Sequence, residues 1–99
     1  SGNATQDLRL MFPEIQKVQV GDMVTTTNPA KPDTVTLVMI DWREQEQPQQ
    51  TAKSQKKTKE REPLKPKLQA QQVQEYEKRI KGYLSFKLQR DSVQVVSTF

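Results

Sequence analysis

A long polar stretch divides this chain into two apolar parts and constrains its fold more than any other feature. From Gln45 to Pro63 the only apolar residue is Ala52, whereas residues 5–42 and 68–99 hold nearly all of the Leu, Ile, Val, Met and aromatic side chains. A segment of this composition buries too little apolar surface to offset the entropy lost on ordering it. We therefore expect one small domain with a flexible polar and basic insert at about 45–67.

The N-terminal residues bear on where this domain begins. Residues 1–4, Ser-Gly-Asn-Ala, lack an initiator methionine and are typical of the remnant of a cleaved purification tag. We expect the natural sequence to begin near Ala4 or Thr5, with the domain spanning 5–99. The chain would then be a fragment of a longer protein.

The first apolar part predicts a short helix followed by two strands. Thr5 is a suitable N-cap, Leu8, Met11 and Phe12 recur at helical spacing, and Pro13 limits the helix, so we expect it over about residues 5–12. Two β-rich segments follow, IQKVQVGDMVTTT and DTVTLVMIDW, separated by the prolines of NPAKP.

The second apolar part predicts a long helix and a last strand. Apolar residues recur at spacings of three and four through LQAQQVQEYEKRIKGYLSFKL, which indicates an amphipathic helix. Gly82 lies within it and is expected to mark a close approach or an early end of the helix. The closing DSVQVVSTF alternates, with Val93, Val95 and Ser97 opposite Gln94, Val96 and Thr98.

The predicted order, α-β-β-α-β, indicates an α+β domain whose three-stranded sheet carries both helices on one face. We expect the last strand to pair with the first, which gives a wholly antiparallel sheet in the order 2-1-3. In the alternative arrangement the last strand pairs with the second, and that parallel ladder requires a right-handed crossover.

The second strand is apolar on both faces, which leaves two interpretations of it open. One face carries Val35, Leu37 and Met39, and the other carries Val38, Ile40 and Trp42. In the first interpretation the strand is central, covered by helices on one side and partly by the insert on the other. In the second, Val38, Ile40 and Trp42 form an exposed patch that binds a protein partner or a second copy. These three are our candidate binding residues.

Catalytic signatures are missing from the sequence. Without cysteine or histidine the chain lacks thiolates, the commonest general base and the commonest metal ligand. Asp22, Asp33, Asp41 and Asp91 lie near predicted turns and strand ends, where aspartate commonly bonds local backbone groups. We expect no catalytic, cofactor or metal site and no small-molecule ligand. No apolar run reaches the roughly 18–20 residues of a membrane-spanning helix.

The insert concentrates positive charge. Residues 44–68 hold seven Lys or Arg against four Glu, which is +3 of the chain's net +4. A nucleic-acid arm gains from arginine and aromatic residues, yet this stretch has one arginine and no aromatic. We therefore interpret it as a solvated loop. The alternative is binding to nucleic acid or an anionic membrane surface through Lys56, Lys57, Lys59 and Arg61.

Several short motifs, LRLMFPEI, DTVTLVMIDWRE and YEKRIKGYLSFKLQRDSVQVV, resemble the soluble C-terminal tails of a family of uncharacterised bacterial polytopic membrane proteins. Residues 8–43 and 73–96 carry the likeness, and the insert does not. The resemblance implies a membrane-anchored bacterial parent, with the side of the membrane open, and supplies no active-site residues. The architecture is also similar to the C-terminal modules of TonB and TolA, although a shared fold does not fix function.

The sequence therefore predicts a non-catalytic interaction or regulatory domain. It would act by protein–protein recognition or self-association, through the Trp42 face or through an exposed strand edge that adds a partner strand.

Overall fold

The computed structural model describes residues 3–27, 31–44 and 68–99. Its elements follow the chain in the order α1 (Ala4–Met11), β1 (Lys17–Thr26), β2 (Pro32–Asp41), α2 (Ala70–Leu88) and β3 (Val93–Thr98). The α+β class and the α-β-β-α-β order predicted from the sequence are confirmed. The expected insert at 45–67 lies outside the described residues. Neither α1 nor α2 is long and apolar enough to cross a membrane.

Helix α1 begins one residue earlier than predicted because Asn3, not Thr5, is its N-cap. The Asn3 side-chain oxygen accepts hydrogen bonds from the Thr5 backbone N–H at 3.1 Å and from the Thr5 hydroxyl at 2.6 Å. This satisfies one of the donors that a helix start leaves free. The helix ends at Met11, and Phe12 has already left the helical region because it precedes Pro13.

The three strands form one sheet in the order β1-β2-β3. Strand β1 runs antiparallel to β2, with Val20 paired to Val38, and β3 runs parallel to β2, with Val95 paired to the same residue. The wholly antiparallel order 2-1-3 that we favoured is therefore wrong, and the alternative with a parallel β2-β3 ladder is correct. The central position suits β2 because it is the most apolar strand, while β1 carries Lys17 and Asp22, which suit an edge.

Both helices pack on one face of this sheet, which we call the inner face. Apolar side chains from the helices and their flanks meet those from the strands in a single core of Leu8, Phe12, Ile15, Val38, Ile40, Trp42, Leu68, Val73, Ile80, Leu84 and Val93. Its aromatic part lies between α1 and α2, where the Tyr76 ring lies 4.9 Å from Phe12 and 5.5 Å from Trp42, measured between centroids. Both ring pairs are tilted, with 50° and 49° between their planes, and their centroid distances lie within the range of favourable aromatic pairs.

Polar contacts fasten α1 to α2 beside the core. The Asp7 carboxylate accepts a hydrogen bond from the Tyr83 hydroxyl at 2.8 Å and pairs with the Lys87 ammonium at 3.1 Å. The Tyr83 hydrogen bond and then Lys87 lower the pKa of Asp7. Tyr83 and Lys87 lie four residues apart on α2, so both contacts to Asp7 come from the same side of that helix.

Helix α2 continues past Gly82 to Leu88. A side chain built at Gly82 would meet no other atom within 4 Å. The expectation that Gly82 marks a close approach or an end of the helix is therefore wrong.

Candidate protein-binding face of the sheet

The three residues predicted to form an exposed patch lie in the core instead. Val38 and Trp42 are 0% exposed and Ile40 is 2% exposed. The indole N–H of Trp42 donates a hydrogen bond to the Ser97 hydroxyl at 3.0 Å, so even its polar atom is satisfied inside the domain. The prediction that these side chains bind a partner is corrected, because they point to the helices.

The opposite, outer face of the sheet carries a group of exposed and half-buried apolar side chains. Alternation along the paired strands puts Met23, Val35, Leu37, Met39 and Val96 on it. Met23, Met39 and Val96 keep about half of their surface exposed, at 52%, 46% and 45%. None of the described helices covers this face. The exposed patch of the second interpretation is therefore not formed by Val38, Ile40 and Trp42, and the exposed apolar side chains of β2 lie on its other face.

Two shallow depressions lie on the outer face. One, of about 220 Å³, is bordered by Gly21, Met23, Leu37 and Met39 among others. Gly21 pairs with Leu37 in the hairpin, and a side chain built on it would meet nothing within 4 Å. The lack of a side chain there leaves a hollow among longer apolar groups, which a partner's side chain can enter.

The second depression, of about 160 Å³, lies at the end of the sheet, where Lys17, Met39, Asp41 and Val96 line it. Asp41 accepts two hydrogen bonds from the Arg43 guanidinium, each at 3.0 Å, and one from the Arg43 backbone N–H. The Arg43 side-chain hydrogen bond holds the pKa of Asp41 below its usual value, and Asp41 in turn raises the pKa of Arg43. Arg43 therefore neutralises the Asp41 carboxylate on this rim, and Lys17 adds a positive charge to it.

A polar cluster joins β1 and β2 to the connection between α2 and β3 on the inner side. The buried Thr36 hydroxyl donates to Asp22 at 3.0 Å and accepts from Arg90 at 3.3 Å, while Arg90 also pairs with Asp22 at 3.2 Å. Every polar group in it has a partner, which is what a structural cluster requires. Of the four aspartates considered above, Asp22 and Asp41 occupy separate sites with separate cations. Within the described ranges no three or more Asp or Glu side chains converge as metal ligands.

Sequence reasoning missed Met23 and Val96 as surface residues and chose the wrong face of β2. The alternation of β1 puts Val18 and Val20 on one side and Lys17, Gln19 and Gly21 on the other, but it identifies the inner face of β2 only once the register is known. The alternative basic site, Lys56, Lys57, Lys59 and Arg61, lies outside the described residues.

Comparison with known proteins identifies one protein family that the chain matches. The model of one protein family, whose description is Domain of unknown function (DUF8492), matches residues 3–74. The match covers α1, β1, β2 and the beginning of α2, and thus most of the outer face. No curated protein and no solved structure matches the chain.

Proposed function

The chain belongs to the family Domain of unknown function (DUF8492), and we propose that it is a non-catalytic domain that recognises another protein through the outer face of its sheet. The observation that carries the proposal is the exposed apolar surface of Met23, Val35, Leu37, Met39 and Val96, opposite the two helices. Contiguous apolar surface of this kind marks interaction sites in soluble domains.

The dimensions of the face favour one amphipathic helix of the partner as its occupant. Three strands at about 4.8 Å spacing give a surface about 10 Å wide, which matches the roughly 10–12 Å diameter of an α-helix with side chains. From Val35 to Met39 the apolar strip runs about 13 Å, or between two and three helical turns. The helix would cover the outer face as α1 and α2 cover the inner one.

The chain's own insert is a poor occupant of this face. Residues 45–67 contain only Ala52 and Leu64 as apolar residues, so they cannot supply an apolar stripe. Two of the five outer side chains, Met23 and Met39, are methionines, whose flexible thioethers adapt to different partner surfaces. A partner's leucine-rich or aromatic helix face fits this chemistry.

Photocrosslinking tests the proposal. A benzophenone amino acid replaces Met39 or Met23 in the full chain, and Phe86 on α2, which is 77% exposed, is replaced as a control. We expect positions 39 and 23 to trap the same protein in cells of the source organism, through a helix identified by mass spectrometry. Position 86 should not trap it.

The trapped helix, made as a peptide, then provides a quantitative test. We expect Met39→Lys to weaken its binding at least tenfold, or about 1.4 kcal/mol, because burying a methionine is worth about 1.5–3 kcal/mol. Phe86→Lys should bind as wild type. Crosslinks from Met39 only to a second copy, or an unchanged affinity of Met39→Lys, would exclude a partner helix on this face.

A second candidate function rests on the charge of residues 44–68, which hold +3 of the net +4. In this alternative Lys56, Lys57, Lys59 and Arg61 bind nucleic acid or an anionic membrane surface. Phosphate contacts make affinity fall steeply between roughly 50 and 200 mM salt. Anisotropy with labelled DNA across that range, for the full chain and for a deletion of 46–62, tests it. Salt-independent or deletion-insensitive binding rules it out.

We further propose, from the sequence resemblance alone, that the parent protein is bacterial and membrane-anchored. The similarity to TonB- and TolA-type modules likewise rests on the sequence alone. The gene sequence on both sides of this segment provides the test. Apolar runs of about twenty residues in the parent would support the proposal, and a parent without them would contradict it.

A further inference from the structure

Strand β3 ends the sheet and carries none of the features that usually protect an edge. Its residues, VQVVST, include no charged residue and no proline, and four of the six are β-branched. Natural edge strands are commonly blocked by lysine, proline or a bulge. The opposite edge strand, β1, carries Lys17, Gly21 and Asp22. The two edges thus differ, and β3 is the one suited to accept another strand.

The hydrogen bonds of β3 show which of its backbone groups face this edge. The Thr36 N–H donates to the Ser92 carbonyl at 2.9 Å and the Trp42 N–H donates to the Thr98 carbonyl at 3.0 Å. Successive residues of a strand direct these groups to opposite sides, so the backbone of Val95 and Ser97 points away from β2. No residue in the described ranges bonds the N–H or C=O of Val95 or Ser97.

A groove of about 390 Å³ separates this edge from α2. The helix contributes Gln74, Glu77, Lys78 and Lys81 to its lining, and the strand contributes Val93, Gln94 and Val95. Glu77 and Lys81 are one helical turn apart and opposite in charge. If a second α2 ran antiparallel beside the first, Glu77 of each helix would face Lys81 of the other.

We propose that β3 pairs antiparallel with β3 of a second copy of this chain, around a twofold axis at Val95, and joins two sheets into one of six strands. A twofold axis makes an interface from one patch used twice, which an antiparallel pair of identical strands satisfies. The mixed charges beside the edge complement their own copy, whereas a groove selecting acidic or basic peptides would carry one sign. This dimer does not depend on the partner helix proposed above.

The twofold axis at Val95 determines which residues of the two β3 strands face each other, and these pairs provide the test. Val95 exchanges both backbone hydrogen bonds with Val95 of the second copy, and Gln94 faces Val96 of the second copy on the outer side. The double variant Gln94→Lys, Val96→Lys therefore opposes like charges across the axis. The matched variant Gln94→Glu, Val96→Lys opposes unlike charges at the same positions.

Sedimentation equilibrium of the full chain measures the result. We expect wild type to form a dimer. The double variant with Gln94→Lys and Val96→Lys should raise the dissociation constant at least tenfold. The double variant with Gln94→Glu and Val96→Lys should restore dimerisation. Circular dichroism should show all three folded, since both side chains are exposed. A wild type that stays monomeric at millimolar concentration, or two double variants with the same dissociation constant, would overturn the proposal.

Hydrogen exchange and one further variant separate this dimer from a face-to-face pair. In the edge dimer the amides of Val95 and Ser97 become protected on association, and Met39→Lys leaves the dissociation constant unchanged. If Met39→Lys dissociates the dimer while those amides stay unprotected, the copies meet through their outer faces and the edge pairing is wrong.

Discussion

Substitution of Trp42 tests which face of β2 is buried in the core and contributes to stability. Trp42 is 0% exposed, and its indole ring lies 5.5 Å from Tyr76 and 6.5 Å from Phe12 between centroids. Its N–H donates to the Ser97 hydroxyl at 3.0 Å. The variant Trp42→Ala removes the ring from this enclosed position and leaves the Ser97 hydroxyl without its donor.

The expected cost is large for a domain of this size. Truncating a buried aromatic residue to alanine costs about 3–5 kcal/mol, against a total stability of about 5–15 kcal/mol for natural domains. Trp42→Phe keeps a ring but loses the hydrogen bond, which is worth about 1 kcal/mol, together with some packing. We therefore expect wild type to be the most stable, Trp42→Phe intermediate and Trp42→Ala the least stable.

Urea unfolding followed by far-ultraviolet circular dichroism provides the assay, because Trp42 is the only tryptophan and its fluorescence is lost in both variants. With a denaturant slope of about 1–3 kcal/mol/M, the midpoint of Trp42→Ala should fall by more than about 1 M. The matched control is Met39→Ala on the outer side of the same strand, where we expect a cost below about 1 kcal/mol. Equal midpoints for Trp42→Ala and Met39→Ala would refute the assignment of the inner face.

Two further predictions concern the helices. Gly82→Ala should raise stability by about 0.5–1 kcal/mol and the melting temperature by several degrees, because Gly82 lies inside α2 with open space around it; no gain in a thermal melt would contradict this. Tyr83 and Lys87 lower the pKa of Asp7, so its stabilising contribution is complete above about pH 4 and is lost as the pH falls through the lowered pKa. Asp7→Asn should therefore lose less stability than wild type between about pH 5 and 2, and equal losses would argue against the contact.

The elements were predictable because each has a strong local signal. Pro13 limits α1, and the spacing of Val73, Ile80 and Leu84 identifies the buried side of α2, which the structure confirms. The N-cap was missed by two residues because residues 1–4 were interpreted as a tag remnant, which left Asn3 out of consideration. The strand order was missed for a different reason. After α2 the chain can add β3 beside either β1 or β2 of the hairpin. Tertiary packing decides between these two edges, and the sequence of β3 alone does not.

The face of β2 could be derived only from its pairing with β1. Both sides of β2 are apolar, so its own pattern does not choose between them, whereas β1 has a clear apolar side at Val18 and Val20. The register pairs Val18 with Ile40 and Val20 with Val38, which carries that side onto β2. A slip of one residue would pair Val20 with Met39 or Leu37 and reverse the faces. The alternation of β1 does not specify which residue of β2 each valine faces, so the register is known only from the structure.

The two proposed interactions make a joint prediction because the twofold axis at Val95 is perpendicular to the sheet. Both outer faces then lie on the same side of a six-stranded sheet, so two partner helices bind side by side. A tandem ligand carrying two copies of the partner helix should bind more tightly than a single copy, by about 10²–10⁴, if its linker spans both faces. In the double variant with Gln94→Lys and Val96→Lys the two outer faces separate, because the dimer dissociates into monomers. The affinity for the tandem ligand divided by the affinity for the single helix should therefore fall toward one, even if the variant also changes the affinity for the single helix. An undiminished ratio in that variant would mean that the outer faces are brought together by contacts other than β3.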